Sequence, residues 1–290
     1  MSWLKKQQME IKEPSLSLID IEKSLIKGYH KVLFRPFIKA IQDYNLIEEN
    51  DKIAVAISGG KDSLLMAKLF QELKKHKKFN FDICFISMDP GFLEPNILQF
   101  NKNCEYLNIP VTTKQSDIFK VVEKIAKENP CYMCARMRRG FLYNMAKELG
   151  CNKLALGHHF DDVIETTLLN LFYGGQFMTM VPKIKSKNFE GIELIRPLFL
   201  IKERDILRWK ERIGLQSMDC GCKVTALKLA SKRREIKEMI ENLRKIYPDV
   251  EYSIFRACEN VNINALLGYQ KDDKKYSFNE IYEEEEDNDL

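Results

Sequence analysis

The feature that most restricts the fold is an apolar segment that runs straight into a glycine turn. Lys52-Ile-Ala-Val-Ala-Ile57 ends at Ser58-Gly59-Gly60, and residues 62–78 then carry leucines at helical spacing. A short apolar run that ends at glycines is typical of a buried strand, and the spacing that follows is typical of an amphipathic helix. A strand, a tight turn and a helix in direct succession predict one unit of a parallel sheet.

The same alternation continues along the chain. Strands are predicted at 81–88, 110–114 and 153–157, and the helices between them at 94–107, 117–127, 134–149 and 161–172. Further helices are predicted at 21–44, 203–213, 225–247 and 253–265. The pattern predicts an α/β fold with a parallel sheet and helices on both faces. We expect a helical extension (1–48), an α/β domain (49–200), a helical region (201–270) and an acidic disordered tail (271–290).

The charge distribution indicates a polyanionic partner. The 290 residues have a formal charge of +4, but residues 271–290 hold three lysines and nine carboxylates. Residues 1–270 therefore carry +10, which suits nucleic acid. No stretch approaches the roughly 18 apolar residues of a membrane span, and residues 1–8 lack the apolar core of a secretory signal. We expect a cytoplasmic protein with no membrane partner.

Three positions are expected to meet at one edge of the sheet. The Ser58 turn, Asp89 and Gly157-His158 each follow a predicted strand. Ligands of such sheets bind at the carboxyl ends of the strands. Backbone N–H groups at the start of the helix after Gly60 favour an anion such as phosphate. The alternative is a tight turn without a ligand.

The turn is not a Walker A loop. Val55 stands where that motif begins with glycine, and Lys61 is followed by Asp62 rather than by serine or threonine. A kinase or GTPase of the P-loop type is therefore disfavoured.

Four of the eight cysteines form two close pairs, Cys131/Cys134 and Cys220/Cys222. Without a secretory signal, a disulfide framework is not expected. Such spacing suits a metal ion, the edge of a cluster or a redox dithiol. The other four are expected to be small core residues: Cys84, Cys104, Cys151 and Cys258.

The glycine turn resembles a known loop. Ser58-Gly59-Gly60-Lys61-Asp62-Ser63, placed after an apolar strand, is similar to the pyrophosphate loop of the N-type ATP pyrophosphatases. That family splits ATP between its α- and β-phosphates and adenylates a substrate oxygen. The resemblance implies that the loop amides, Ser58 and Ser63 hold the pyrophosphate. It implies that Lys61 supplies positive charge, that Asp62 helps to bind Mg²⁺, and that Asp89, Gly157 and His158 lie near the nucleotide.

Three further motifs resemble one family within that superfamily, the tRNA 2-thiocytidine synthetases. They are Cys131-Tyr-Met-Cys134-Ala-Arg136-Met-Arg138-Arg139-Gly140, Leu156-Gly157-His158-His159-Phe160-Asp161-Asp162 and Leu169-Asn-Leu-Phe-Tyr173-Gly174-Gly175. The resemblance covers roughly residues 25–265. It implies adenylation of cytidine 32 in the tRNA anticodon loop and replacement of the 2-oxygen by sulfur from a [4Fe–4S] cluster. It also implies a catalytic role for Lys61, Asp62 and Asp162, with Asp162 as a second Mg²⁺ ligand.

The resemblance implies three cysteine ligands for the cluster, which leaves one iron open to carry sulfur. Cys131 and Cys134 match the first two. The third does not match directly, because this chain has Cys-Gly-Cys where the family has a CxxC; alignment through the helix that follows favours Cys222, with Cys220 as the alternative. A second possibility stays open, since four thiolates would also form a structural zinc site.

Basic residues in three places are the candidates for RNA contacts: Arg136, Arg138, Arg139, Lys183, Lys185, Arg233 and Arg234. A single-stranded loop is the expected target, because its bases can be splayed into a pocket. The resemblance implies tRNA and a cysteine desulfurase or other sulfur donor as partners, and it leaves a homodimer open. The alternatives are a thiolase for uridine or ribothymidine, and a non-catalytic, zinc-stabilised RNA-binding module.

Overall fold

A computed structural model describes residues 12–77, 80–92, 94–125, 130–218, 229–280 and 282. The chain divides into two compact units, Met1–Glu238 and Met239–Leu290. The first unit contains the six-stranded sheet, and the division falls within the predicted helical region 201–270. None of the helices in these ranges has the length and apolarity that a membrane span requires.

Within the described residues, the first unit is built on a six-stranded sheet with the order β3-β2-β1-β4-β6-β5. Its strands are β1 Lys52–Ala56, β2 Asp82–Asp89, β3 Val111–Gln115, β4 Lys153–Ala155, β5 Lys183–Lys185 and β6 Glu193–Ile195. Neighbours from β3 to β6 pair in parallel, and only β5 pairs antiparallel. The predicted parallel α/β fold is confirmed, and β5 is an edge strand that the sequence did not predict.

The helices of the first unit largely alternate with the strands, since parallel neighbours need crossover connections. They are α1 Leu18–Ile26, α2 Arg35–Asp43, α3 Lys61–Lys75, α4 Glu94–Tyr106, α5 Ile118–Ile125, α6 Pro130–Glu148, α7 Phe160–Gly174 and α8 Glu203–Ile213. Helix α9, Leu229–Ile246, begins in this unit.

Two helix layers enclose the sheet. Ala54 and Ala56 of β1 pack against α6 through Tyr143 and Ala146. Because side chains alternate along a strand, the intervening Val55 faces the opposite layer, where α3 contacts β1. All of these side chains are buried, so the apolar run of β1 reads as a strand covered on both faces.

The N-terminal segment departs from the single helix predicted over 21–44. Residues His30–Phe34 form a π-helical turn between α1 and α2. Pro36 lies in the first turn of α2, where a missing backbone N–H is tolerated. The apolar spacing thus continues through 21–44, although the α-helix ends at Ile26 and resumes at Arg35.

The second unit consists of the end of α9, helix α10 at Val250–Ala257, and a hairpin of β7 Gly268–Lys271 and β8 Lys274–Ser277. The helix predicted over 253–265 is thus shorter. The first part of the predicted disordered tail is ordered instead, because Asp272 and Asp273 adopt the positive φ angles of a two-residue hairpin turn. Residues 283–290 of that tail lie outside the described residues.

Candidate functional site: a phosphate loop and its cleft

The loop after β1 has the geometry of an anion-binding turn. Gly59 has φ +81°, and Gly60 is the extended N-cap residue of α3. The Ser63 hydroxyl donates to the Gly60 carbonyl at 2.9 Å and accepts from the Ser58 N–H at 3.1 Å. The side chain of Ser63 thus braces the turn from inside, while the helix start presents unpaired N–H groups.

The close approach of β4 to this loop depends on Gly157. A Cβ atom at this position would lie 3.3 Å from the backbone nitrogen of Ser63 and 3.5 Å from the Cβ of Asp62. Glycine therefore lets the end of the strand touch the first turn of α3.

The loop opens into a cleft of about 290 Å³. Its walls include the predicted nucleotide residues Ser58, Asp62, Ser63, Gly157 and His158. Helix α6 supplies Ala135, Arg138, Arg139 and Leu142, which recur at the spacing of one helix face. The structure therefore brings the phosphate loop and two predicted RNA-binding arginines to the same cavity.

Asp89 lies elsewhere. It lines a second cavity of about 370 Å³ with Ser87 and Thr113, whereas its neighbour Met88 lines the phosphate cleft. Its Oδ1 accepts hydrogen bonds from the N–H groups of Gly91 and Phe92, at 2.9 and 2.8 Å. The alternation of β2 thus turns Asp89 to the opposite face from Met88, and its described role is to close a turn.

Asp62 has an oxygen suited to a metal ion. Its Oδ2 accepts from Lys61 Nζ at 3.1 Å, but its buried Oδ1 has no hydrogen-bond partner among the described residues. A carboxylate oxygen left in this way at a phosphate loop fits the oxygen ligands that Mg²⁺ prefers. The donor set thus fits Mg²⁺ at Asp62.

Glu203, the first residue of α8, is a member of the site that the sequence did not reveal. It accepts from Lys61 Nζ at 3.1 Å and from Lys237 Nζ of α9 at 2.8 Å. Burial opposes its ionisation, but the hydrogen bond from Lys237 and the charge of Lys61 outweigh it and lower the pKa of Glu203 to about 2. Its only sequence signal was its place at a predicted helix start.

Asp162 is held by the protein on both oxygens. Oδ2 accepts from the His159 N–H at 3.0 Å, and Oδ1 accepts from Arg233 at 2.7 Å. Arg233 also donates to Glu165 at 2.5 Å, and Glu165 is almost fully buried. Asp162 therefore anchors helix α9 to the start of α7, which differs from the predicted role in binding Mg²⁺.

The His158 side chain lines the cleft and has an altered pKa. Burial lowers its pKa to about 4; Asp162 opposes this shift, and the nearby Arg196, Arg233 and Arg139 assist it. The ring is thus uncharged at neutral pH and can donate or accept a hydrogen bond without contributing charge.

The cysteine candidates are only partly within the described residues. Cys134 lies half-buried in the second turn of α6, where it packs with Met88 and Ile118. Cys131 belongs to the first turn of α6, but its side chain is not described, and Cys220 and Cys222 lie outside the described residues. Cys104 and Cys151 are buried, as expected of core residues, whereas Cys84 and Cys258 are only half-buried.

One hydrogen bond connects the phosphate loop with Met218, which shortly precedes Cys220 and Cys222 in the chain. The Met218 N–H donates to the Gly59 carbonyl at 2.9 Å. A Cβ on Gly59 would lie 2.6 Å from Met218 Sδ, so glycine is required here for both conformation and space. Cys220 and Cys222 follow Met218 by two and four residues.

The predicted RNA-binding residues differ in exposure and in whether the protein already pairs their charge. Arg136, Arg139, Lys185 and Arg234 are exposed, whereas Arg138 and Lys183 are half-buried. The guanidinium of Arg233 is engaged by two carboxylates. The charge of Arg233 is therefore compensated by carboxylates of the protein, whereas the side chain of its neighbour Arg234 is exposed to solvent.

Comparison with known proteins decides which family has this architecture. Residues 31–219 match the model of the PP-loop domain family. The chain is 37% identical over 245 residues to the tRNA-cytidine(32) 2-sulfurtransferase of Paraburkholderia xenovorans (strain LB400), covering 83% of this chain and 71% of the relative. The enzyme of that name from Syntrophotalea carbinolica is 38% identical over 237 residues, covering 79% and 88%.

This chain belongs to the tRNA-cytidine(32) 2-sulfurtransferase family. The predicted membership of this family is thereby confirmed. Among solved structures, the U34-tRNA thiolase NcsA from Methanococcus maripaludis with its [4Fe–4S] cluster is similar, with a TM-score of 0.65 and 28% identity. The match covers 82% of this chain and 78% of NcsA.

Proposed function

We propose that this sulfurtransferase-family chain adenylates cytidine 32 of tRNA with ATP and replaces the 2-oxygen of the base with sulfur. The observation that carries the proposal is the single cleft in which Ser58, Asp62 and Ser63 of the phosphate loop face Arg138 and Arg139 of the cysteine-bearing helix α6. Nucleotide activation and RNA delivery thus meet in one cavity.

The adenylation half relies on described residues. The N–H groups of the loop and the ammonium of Lys61 bind the β- and γ-phosphates, which leave as pyrophosphate when the cytosine 2-oxygen attacks the α-phosphate. Asp62 would hold Mg²⁺, which would compensate the negative charge of that leaving group. Binding of phosphate at Lys61 competes with its present contact to Glu203. His158, which is neutral, orients a polar atom of the substrate without adding charge.

The sulfur half relies on cysteines. Thiolates are the ligands that iron–sulfur clusters require, and Cys134 is a half-buried cysteine on the helix that forms the cleft wall. A [4Fe–4S] cluster bound there would supply the sulfur that forms the new bond to the activated carbon, and the C–O bond would break with release of AMP. We assign Cys131, Cys134 and Cys222 as its ligands, with Cys220 as the alternative third ligand. The anchoring of Met218 to Gly59 supports delivery of that third ligand to the loop.

Cytidine is favoured over uridine as the substrate base. The relatives named for cytidine 32 are 37% and 38% identical to this chain, whereas the uridine thiolase NcsA is 28% identical. We also propose that a cysteine desulfurase or another sulfur donor reloads the site, and that the reaction takes place in the cytoplasm, where tRNA is modified. A homodimer remains the alternative to a monomer.

Anaerobic metal analysis tests the sulfur half. The purified protein is expected to bind about four irons and four sulfides per chain. Cys134→Ser should abolish iron retention, whereas Cys258→Ser, at a half-buried cysteine of the second unit, should leave it unchanged. Comparison of Cys220→Ser with Cys222→Ser identifies the third ligand.

The same samples, incubated with ATP, Mg²⁺ and tRNA, should release AMP and pyrophosphate. One equivalent of zinc without iron would contradict the cluster and favour a structural zinc site. Iron retention without tRNA-dependent AMP release would contradict the adenylation half.

A further inference from the structure

Four large apolar side chains lie exposed at the end of α7 and in the loop that follows it. Phe172, Tyr173, Phe177 and Met178, hereafter the aromatic ridge, are 53%, 46%, 49% and 53% exposed. A single exposed apolar residue is ordinary, but a contiguous group in a folded protein usually marks an interaction site.

The backbone beneath the aromatic ridge is firmly tied. Gly175 ends α7 in the left-handed conformation, and its N–H and that of Gln176 donate to the Asn170 carbonyl. The Asn170 side chain donates to the Met178 carbonyl at 2.8 Å. Thr167 and Thr179 share a hydrogen bond of 2.8 Å. The aromatic rings are therefore held outward by an ordered turn rather than exposed through lack of structure.

The surroundings of the aromatic ridge are basic. Residues 171–188 contain three lysines and no carboxylate. Two of these lysines, Lys185 and Lys187, are exposed, and Lys183 is half-buried. The ammonium of Lys232 lies 4.8 Å from the centre of the Tyr173 ring, and the Tyr173 hydroxyl donates a hydrogen bond to the carboxylate of Glu235. Flat apolar rings among cations are complementary to unpaired bases joined by phosphates.

We infer that the aromatic ridge is a stacking platform for unpaired bases of the RNA substrate next to the base that enters the cleft. The inference rests on the proposed function. Helix α7 connects the two places: His158 of the cleft lies two residues before its first residue, Phe160, and Phe172 follows Phe160 by twelve residues, or about 18 Å along the axis. A few nucleotides of a single-stranded loop span that distance.

A second copy of the chain fits this surface less well. A two-fold interface places the same patch against itself, so the lysines at 183, 185 and 187 would face their own copies. Like charges brought together in this way disfavour association, whereas RNA neutralises them.

Paired substitutions separate stacking from apolar packing. Phe172→Leu with Phe177→Leu keeps apolar bulk and removes the π-faces, while Phe172→Trp with Phe177→Trp keeps both. Binding of a tRNA transcript that contains cytidine 32 is measured with the anaerobic, cluster-loaded protein. We expect the leucine pair to weaken affinity about tenfold or more and the tryptophan pair to stay near the wild-type value.

The salt dependence supplies a readout that a structural defect would not reproduce. The leucine pair should keep the wild-type slope of log affinity against log salt, because no phosphate contact is lost. The control Lys185→Ala should reduce that slope by about one. The KM for ATP and the thermal midpoint should not change in the leucine pair.

Two results would overturn the platform. One is wild-type tRNA affinity in the leucine pair. The other is loss of a dimer in sedimentation by that pair without loss of tRNA affinity, which would assign the ridge to a second copy. Failure of the proposed function looks different, because a protein that binds tRNA through the ridge yet forms no 2-thiocytidine would retain the aromatic dependence of binding.

Discussion

At the scale of single residues, the two oxygens of Asp62 have different tasks. One contacts Lys61, and the other is buried without a hydrogen bond in the described residues. We expect Asp62→Asn to lower the rate of AMP formation by roughly 10²- to 10³-fold, the range that loss of one preorganised electrostatic group produces. The dependence of the rate on Mg²⁺ concentration is the measurement.

The matched control is Asp82→Asn. Asp82 is an exposed aspartate that pairs with Lys74 far along β2 from the loop. It should leave both the rate and the Mg²⁺ dependence unchanged. A full rate with unaltered Mg²⁺ dependence in Asp62→Asn would assign the metal to another residue.

His158 is the residue from which a specific pH dependence follows. Burial lowers its pKa to about 4, against roughly 6.5 in an unfolded chain. Between these pH values His158 is protonated in the unfolded chain but not in the folded protein. The free energy of unfolding therefore falls as the pH drops from about 6.5 to 4. The free energy of unfolding should therefore drop less between pH 7 and pH 4.5 in His158→Asn than in the wild type, by on the order of 2 kcal/mol. Urea unfolding at the two pH values measures this difference.

The exposed His76 provides the control for this prediction. His76→Asn should retain the wild-type loss of stability on acidification. An equal loss in His158→Asn would mean that other groups titrate in this window and that His158 is not held neutral.

At the scale of elements, helix α9 is fixed to the cleft by charge. Arg233 joins Asp162 and Glu165, and Lys237 joins Glu203. We expect Arg233→Ala to cost on the order of 2 kcal/mol in the free energy of unfolding, because Glu165 would keep its buried charge with one partner fewer. Chemical denaturation measures this cost.

Arg234 next to it gives the opposite expectation. Its side chain is exposed, so Arg234→Ala should preserve stability and weaken tRNA binding, with a salt slope reduced by about one. Equal effects of the two substitutions on stability and on binding would contradict the division of labour between them.

The individual helices and strands show which parts of the structure the sequence could and could not predict. Apolar periodicity placed α3, α6 and α8 within a few residues, because buried faces fix those positions. It did not predict β5, whose Lys-Ile-Lys is exposed at an edge and has no apolar pattern. Nor could it assign Arg233 to Asp162, since a contact across 71 residues depends on the packing of α9 and not on any local preference.

At the scale of the whole molecule, the candidate site follows from topology. Parallel strands align their carboxyl ends, so Ser58 and Gly157 were predicted to meet, and they line one cleft. Asp89 was predicted to join them, but it lines the other cavity because a strand sends successive side chains to opposite faces. Glu203 was missed for a related reason, as its approach to Lys61 requires α8 to pack on α3.

The central claim is that the phosphate loop, the cysteines and the basic surface all serve the thiolation of cytidine 32 of tRNA. Mass spectrometry of tRNA nucleosides from a strain that lacks the gene tests it most directly. The account predicts that 2-thiocytidine disappears, returns with the wild-type chain, and does not return with Asp62→Asn or Cys134→Ser. Persistence of 2-thiocytidine in the deletion strain, with loss of a thiouridine instead, would contradict it.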